Sequence, residues 1–357
     1  MVESLTEGID LPNLRKWLAV SVLIGLASGI ASIVFFYGLE WVGDLLMNTL
    51  AGYAPPLPGG EGVTTVSPVL RPYLIPIITT LGGLLAGLLV FKLAPEAEGH
   101  GTDAAINSFH NKNGFIRRRV PLVKMLASAI TIGSGGSAGR EGPIALVTAG
   151  VGSLISDILK LNGRERRIAL AIGIGAGVGA IFKAPLGGAI LSTEILYRRD
   201  FESEALLPSF VASIVGYSVF SSWQGWEPIF NLGQGFSFTH PLELIGYIIL
   251  GIVCGLVGIM YGRTFYGFRD IFRKIKIPAY LKPALGGFFV GILALFLPQV
   301  MGAGYGWIQL AINGDYALLP IGVMLGLIIA KMVATGFTVG CISSSSERAA
   351  PIELIPA

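Results

Sequence analysis

Residues 133–143 read GSGGSAGREGP, which sets Arg140 and Glu141 among five glycines in an otherwise oily chain. Lipid tolerates irregular or charged backbone only where protein covers it or water reaches it. The stretch is therefore expected to break a helix at membrane depth, with a new helix opening near Glu141. A helix N-terminus carries roughly +0.5 charge and several unpaired N–H groups, so such an opening is an anion site. A phosphate loop is the enzymatic alternative. It fails because no Walker lysine followed by Ser or Thr is present, and no Cys/His or Ser/His/Asp set accompanies the glycines. No enzyme, cofactor or metal is expected. Cys254 and Cys341 lie far apart, and the three histidines are scattered, so neither a disulfide nor a metal site is indicated.

The elements that must hold this segment are membrane helices. Of 357 residues, 53% are hydrophobic and 13% charged, with mean hydropathy +0.71; soluble proteins have about 25% charged residues. A net charge of +3 is too small to argue for nucleic acid. The 50 glycines suit close helix packing in lipid. Residues 1–13 are polar and acidic, with no basic start or cleavage site, so no signal peptide is expected. A first span is expected over 17–41, with Trp17 and Trp41 as interfacial anchors, and a second over 73–93. Basic residues sort the loops. Residues 1–16 and 112–119 are expected in the cytoplasm, as are Arg164, Arg166, Arg167, Arg198, Arg199 and the run 269–276. The loops 51–72 and 223–240 are expected outside. The apolar segments 144–159 and 186–196 fall short of the ~20 residues a helix needs to cross comfortably. Each begins beside Gly or Pro, the pattern of a binding site near the midplane.

An internal repeat supports that placement. LGGLLAGLL at 81–89 matches LGGFFVGIL at 285–293, Gly99-His-Gly101 is echoed by Gly302-Ala-Gly304, and KMLASAITIG at 124–133 matches KMVATGFTVG at 331–340. The loop charges start the first copy outside and the second inside, so the copies are expected to be inverted, with the ion site where they meet. The expected organisation is a cytoplasmic segment 1–16, a first membrane repeat 17–223, a partial second repeat 241–340 and an aberrant tail 341–357. That tail, after Gly340, lacks the glycine-rich break of the first copy. The expectation is a chain truncated or frameshifted there.

These residues resemble the CLC family of chloride channels and chloride/proton exchangers. Gly139, Arg140, Glu141, Gly142 and Pro143 are similar to its second signature. Phe182-Lys-Ala-Pro-Leu-Gly-Gly188 is similar to its Phe-Asn-Ala-Pro-Leu-Ala-Gly segment. The resemblance implies an all-α polytopic membrane fold of inverted repeats with broken and re-entrant helices, the second repeat being incomplete here. It implies a homodimer in the cell membrane, N-terminus cytoplasmic, with an anion path in each subunit. Glu141 would be the gate, occupying an anion position when ionised and leaving it when protonated; the alternative is that it caps a helix or pairs with Arg140. Gly99, His100 and Gly101, with Gly139, Arg140, Gly142 and Pro143, would bind the anion. His100 stands where the first signature has Ser, and Asp103 where it has Pro. His100 could donate to chloride or face water, and Asp103 reads as a first-turn helix acid.

Exchangers of this family carry an inner proton glutamate one residue after another glutamate. Here the aligned pair is Glu194 and Ile195, and an apolar residue cannot relay a proton. Glu194 is the remaining candidate for a proton pathway, or else pairs with Arg198 at i,i+4. The third signature, Gly-x-Phe-x-Pro, aligns with Glu347-Arg-Ala-Ala-Pro351, without its Gly and Phe. The expected function is chloride transport, channel-like and passive. The alternatives are chloride/proton antiport and a non-conducting membrane fragment; another small anion such as fluoride or nitrate stays open.

Overall fold

In the computed structural model, residues 11–197, 200–233, 238 and 240–342 are described. Among them the chain is all helical. The elements are α1 (Leu11–Gly43), α2 (Ile75–Leu93), α3 (Thr102–Asn111), α4 (Arg119–Gly133), α5 (Glu141–Ile158) and α6 (Gly163–Ile181). They continue as α7 (Pro185–Glu194), α8 (Ser203–Gln224), α9 (Glu243–Lys274), α10 (Lys282–Phe296), α11 (Tyr305–Asn313) and α12 (Ile321–Thr335). α1 runs on into a wide π-helical turn, Asp44–Ala51, and α12 into another, Gly336–Gly340. Six of these helices, extended by such turns, are long and apolar enough to cross a membrane. The protein is a polytopic membrane protein. Arg198, Arg199 and the aligned tail 347–351 lie outside the described residues.

The first expected span is lengthened at both ends, to Leu11–Gly43, and the second begins two residues later, as Ile75–Leu93 after a short turn at Pro72–Leu74. The two short segments become α5 and α7. α5 and α6 form the centre. Every residue from Ile168 to Ile181 is buried, and so are most of α5. Glycine allows that closeness, because a Cβ on Gly173 or Gly152 would collide with the Thr148 or Ala169 carbonyl of the facing helix. α6 starts on a capping box, in which Asn162 accepts from the Glu165 amide and Glu165 accepts from the Asn162 amide. α9 is different, with Phe272 as its one buried residue. Its exposed Leu250, Ile252 and Leu256 suit a helix facing hydrocarbon.

α2 and α10 carry the LGG segments and pack against each other reciprocally. Gly83 lies on the Pro283 carbonyl and Gly87 on that of Tyr280. In return, Gly287 lies on the Thr79 carbonyl and Gly291 on Pro76. Each contact repeats with the partners exchanged. The loops also gather in two groups. Loop 52–71 meets loop 225–233, with the Gly60 amide donating to the Ile229 carbonyl at 3.0 Å. Elsewhere Lys16 pairs with Glu165, Arg164 with Glu204, and Arg166 with Asp157 at 2.6 Å. The first group falls in the loops expected outside, and Lys16, Arg164 and Arg166 of the second in segments expected in the cytoplasm, while Lys183 donates to the Glu227 carbonyl of the first.

Candidate anion site

α4 ends at Gly133 and α5 opens at Glu141, as the glycine-rich segment leads one to expect. Protein satisfies the backbone of the break. Gly136 N–H donates to the Thr131 carbonyl at 2.9 Å, and Gly135, at φ +94°, turns the chain. Ser137 N–H donates to Thr338 Oγ1 at 2.9 Å, and Ser137 Oγ lies 3.2 Å from Thr335 Oγ1. The turn at the end of α12 therefore covers the break in the first copy, which keeps it compatible with membrane depth.

The Gly99–Gly101 turn comes up against the opening of α5. Gly99 has φ +72° and Gly101 φ +113°. A Cβ on Gly142 would collide with His100 Nδ1, and one on Gly101 would sit 2.6 Å from the Gly142 carbonyl. His100 Nδ1 is 3.1 Å from Thr102 Oγ1, and Asp103 lies in the first turn of α3. Between the two motifs is a cavity of about 40 Å³ lined by Gly99, His100, Lys124, Gly139, Pro143 and Val339, among others. That is room for one small ion or a few waters. The structure thus brings Gly99, His100, Gly139 and Pro143 to one cavity. Gly101 and Gly142 make the close contact that forms it.

Two expected residues take other positions. Arg140 does not pair with Glu141. It forms a buried ion pair with Glu61 from loop 52–71, with Nη1 3.3 Å from Glu61 Oε2. Its guanidinium lies over the rings of Phe36 (5.3 Å), Phe182 (5.5 Å) and Tyr305 (5.1 Å). It lines a second, larger cavity of about 440 Å³, together with Glu40, Tyr53, Glu61 and Trp307. Glu194 is exposed at the end of α7 and lines neither cavity, while Ile195 packs on the main apolar core. Its candidate partner Arg198 is outside the described residues.

Glu141 folds back over Gly139, where a Cβ would strike its carboxylate. Tyr305 Oη donates to Glu141 Oε1 at 2.7 Å. Sequence reasoning missed Tyr305, although it directly follows Gly304 in the echoed motif. It also missed Lys124 as part of the site. Buried Lys124 donates Nζ to the carbonyls of Gly99 (2.6 Å) and Ala97 (3.2 Å). Lys331 does the same to Gly302 (2.5 Å) and Val300 (2.9 Å). The signal was the lysine opening both copies of the third repeat match. Lys183, in place of the family Asn, has φ +51° and donates to the Glu227 carbonyl at 2.8 Å. Asn tolerates that conformation more readily than Lys.

A family model described as voltage gated chloride channel matches residues 82–345. The chain belongs to that family. An uncharacterized protein of Methanocaldococcus jannaschii is 30% identical over 91% of this chain and 73% of its own length. The H(+)/Cl(-) exchange transporter ClcA of Cronobacter sakazakii is 29% identical over 92% of this chain and 68% of its own length. A slow cyanobacterial Cl-/H+ antiporter has the same fold, with TM-score 0.75 at 24% identity, over 91% of this chain and 74% of that one. As a CLC protein, this chain carries the Glu141 opening within the matched region.

Proposed function

We propose that this protein moves a small anion, chloride first, through the cavity between the Gly99–Gly101 turn and the opening of α5, with Glu141 as its gate. The observation that carries this reading is the Glu141 carboxylate folded onto Gly139, beside that cavity. A carboxylate in such a place competes with the anion it resembles, because the same helix-end N–H groups attract both. Gly99, His100, Gly101, Gly139, Gly142 and Pro143 form the anion's surroundings. Arg140, with its charge held by Glu61, shapes the approach from the larger cavity. The protein acts as a transporter and not as an enzyme.

The reciprocal α2–α10 contacts and the matching lysine bonds support inverted repeats, a first over 17–223 and a partial second over 241–340. The gathering of the basic loops supports a cytoplasmic N-terminus in a cell membrane, and the family resemblance supports a homodimer. Two finer readings remain. Ile195, an apolar side chain packed against the core, favours passive conduction without a proton partner. The exchange activity in the names of the similar ClcA and antiporter proteins favours chloride/proton antiport, with Glu194 the acidic residue left for the inner proton. Chloride and proton fluxes in proteoliposomes separate them. A chloride gradient that drives no proton uptake supports conduction, and uphill proton movement supports antiport. Glu141→Gln is expected to make chloride flux less pH-dependent, because the gate no longer titrates. An unchanged pH profile would remove Glu141 from the gate role.

A further inference from the structure

We propose that the Tyr305 hydroxyl is a latch that holds the Glu141 gate in its closed position. The inference rests on the gate reading of Glu141 and adds its regulation. Tyr305 opens α11 between two glycines, and the local backbone fixes where its ring goes. Gly302 and Gly304 adopt φ +59° and +84°, which favour glycine. Lys331 holds the turn before them through the Val300 and Gly302 carbonyls. Gly306 lies against the Pro56 carbonyl with no room for a Cβ. One turn along α11, buried Gln309 accepts from the Asn231 amide (2.9 Å) and the Gly59 amide (3.3 Å) and donates to the Asn231 carbonyl (2.8 Å). The ring itself is enclosed by the Arg140 guanidinium at 5.1 Å, Phe230 at 6.1 Å and Phe182 at 6.4 Å.

Held this way, the hydroxyl meets Glu141 Oε1 at 2.7 Å. An ionised carboxylate only accepts, so the tyrosine is the donor, and a bond to a charged acceptor is of the stronger kind. It exists with the carboxylate folded onto Gly139 and is lost if the side chain swings out. The latch therefore adds to the closed state alone. It also links the gate to loops 52–71 and 225–233, because Gln309 ties α11 to both.

Chloride titration calorimetry on the 357-residue chain in detergent tests this. Tyr305→Phe keeps the ring and removes the donor. Chloride is expected to bind about tenfold more tightly as the competing carboxylate is released. In a Glu141→Ala background the same substitution is expected to change nothing. An equal effect in both backgrounds would overturn the latch, and so would no effect where Glu141→Ala alone tightens binding. A second measurement needs no chloride. The infrared carboxylate band assigned to Glu141 by difference from Glu141→Gln should shift in Tyr305→Phe, and an unmoved band overturns the contact. A shifted band with chloride affinity indifferent to Glu141→Ala would sink the gate, and the latch's role with it, while the contact itself stands.

Discussion

Glu141 and Arg140 are neighbours in sequence with separate tasks in space. The carboxylate turns onto Gly139 and meets Tyr305, while the guanidinium turns to Glu61 and three aromatic rings. Both members of the Arg140–Glu61 pair are buried, with side chains 7% and 6% exposed. Removing one partner would leave a charge in a poor solvent, at a typical cost of about 3–5 kcal/mol. Glu61→Ala is therefore expected to destabilise the protein toward the lower end of that range, because the rings still attract the arginine. A thermal unfolding midpoint in detergent equal to that of the parent would show that the pair contributes little. That Arg140 needs a partner is legible from an arginine in an apolar stretch. Which carboxylate it takes is not, since Glu61 lies 79 positions away in a loop with no periodic pattern.

Among the elements, the glycines of α2 and α10 act as contact points. Thr79, Pro283 and their carbonyls lie where side chains of residues 83 and 287 would otherwise project. A larger residue there must separate the helices, and overpacking of this kind costs typically about 1–3 kcal/mol. Gly287→Val is expected to lower the unfolding midpoint, and Gly83→Val to do so similarly because its contact is the reciprocal one. Gly258→Val on α9 is the control, as no atom beyond its own stretch of helix lies within 4 Å of its added Cβ; a drop as large in the control would assign the effect to helix propensity instead. The repeated LGG segments were visible in the sequence, and so were the break and the opening at Glu141. Their contact with each other was not, because an internal match reveals similar units without saying which faces meet.

Across the molecule, the two loop groups define two ends joined by α1. If loop 52–71 is outside and Asn111–Lys112 inside, cysteines at Thr64 and Lys112 in a Cys254→Ser background should react with an impermeant maleimide from opposite faces of the membrane. Labelling of both from one face would overturn this sidedness of the first copy. The basic residues carry this expectation in the sequence itself, because moving Lys or Arg across a bilayer is costly wherever the fold puts them. Composition likewise fixed the solvent, and the glycines around Arg140 and Glu141 fixed a broken helix with an anion-attracting end. These are local properties, set by the chemistry of neighbouring residues. The cavity proposed for the anion is of another kind. It needs Gly99 and His100, Lys124, Gly139 and Val339 brought together from separate helices, with Tyr305 added from α11. Contacts between residues so far apart along the chain depend on how the helices pack, and that packing is what gave Glu141 its partner Tyr305 and left Glu194 apart from both cavities.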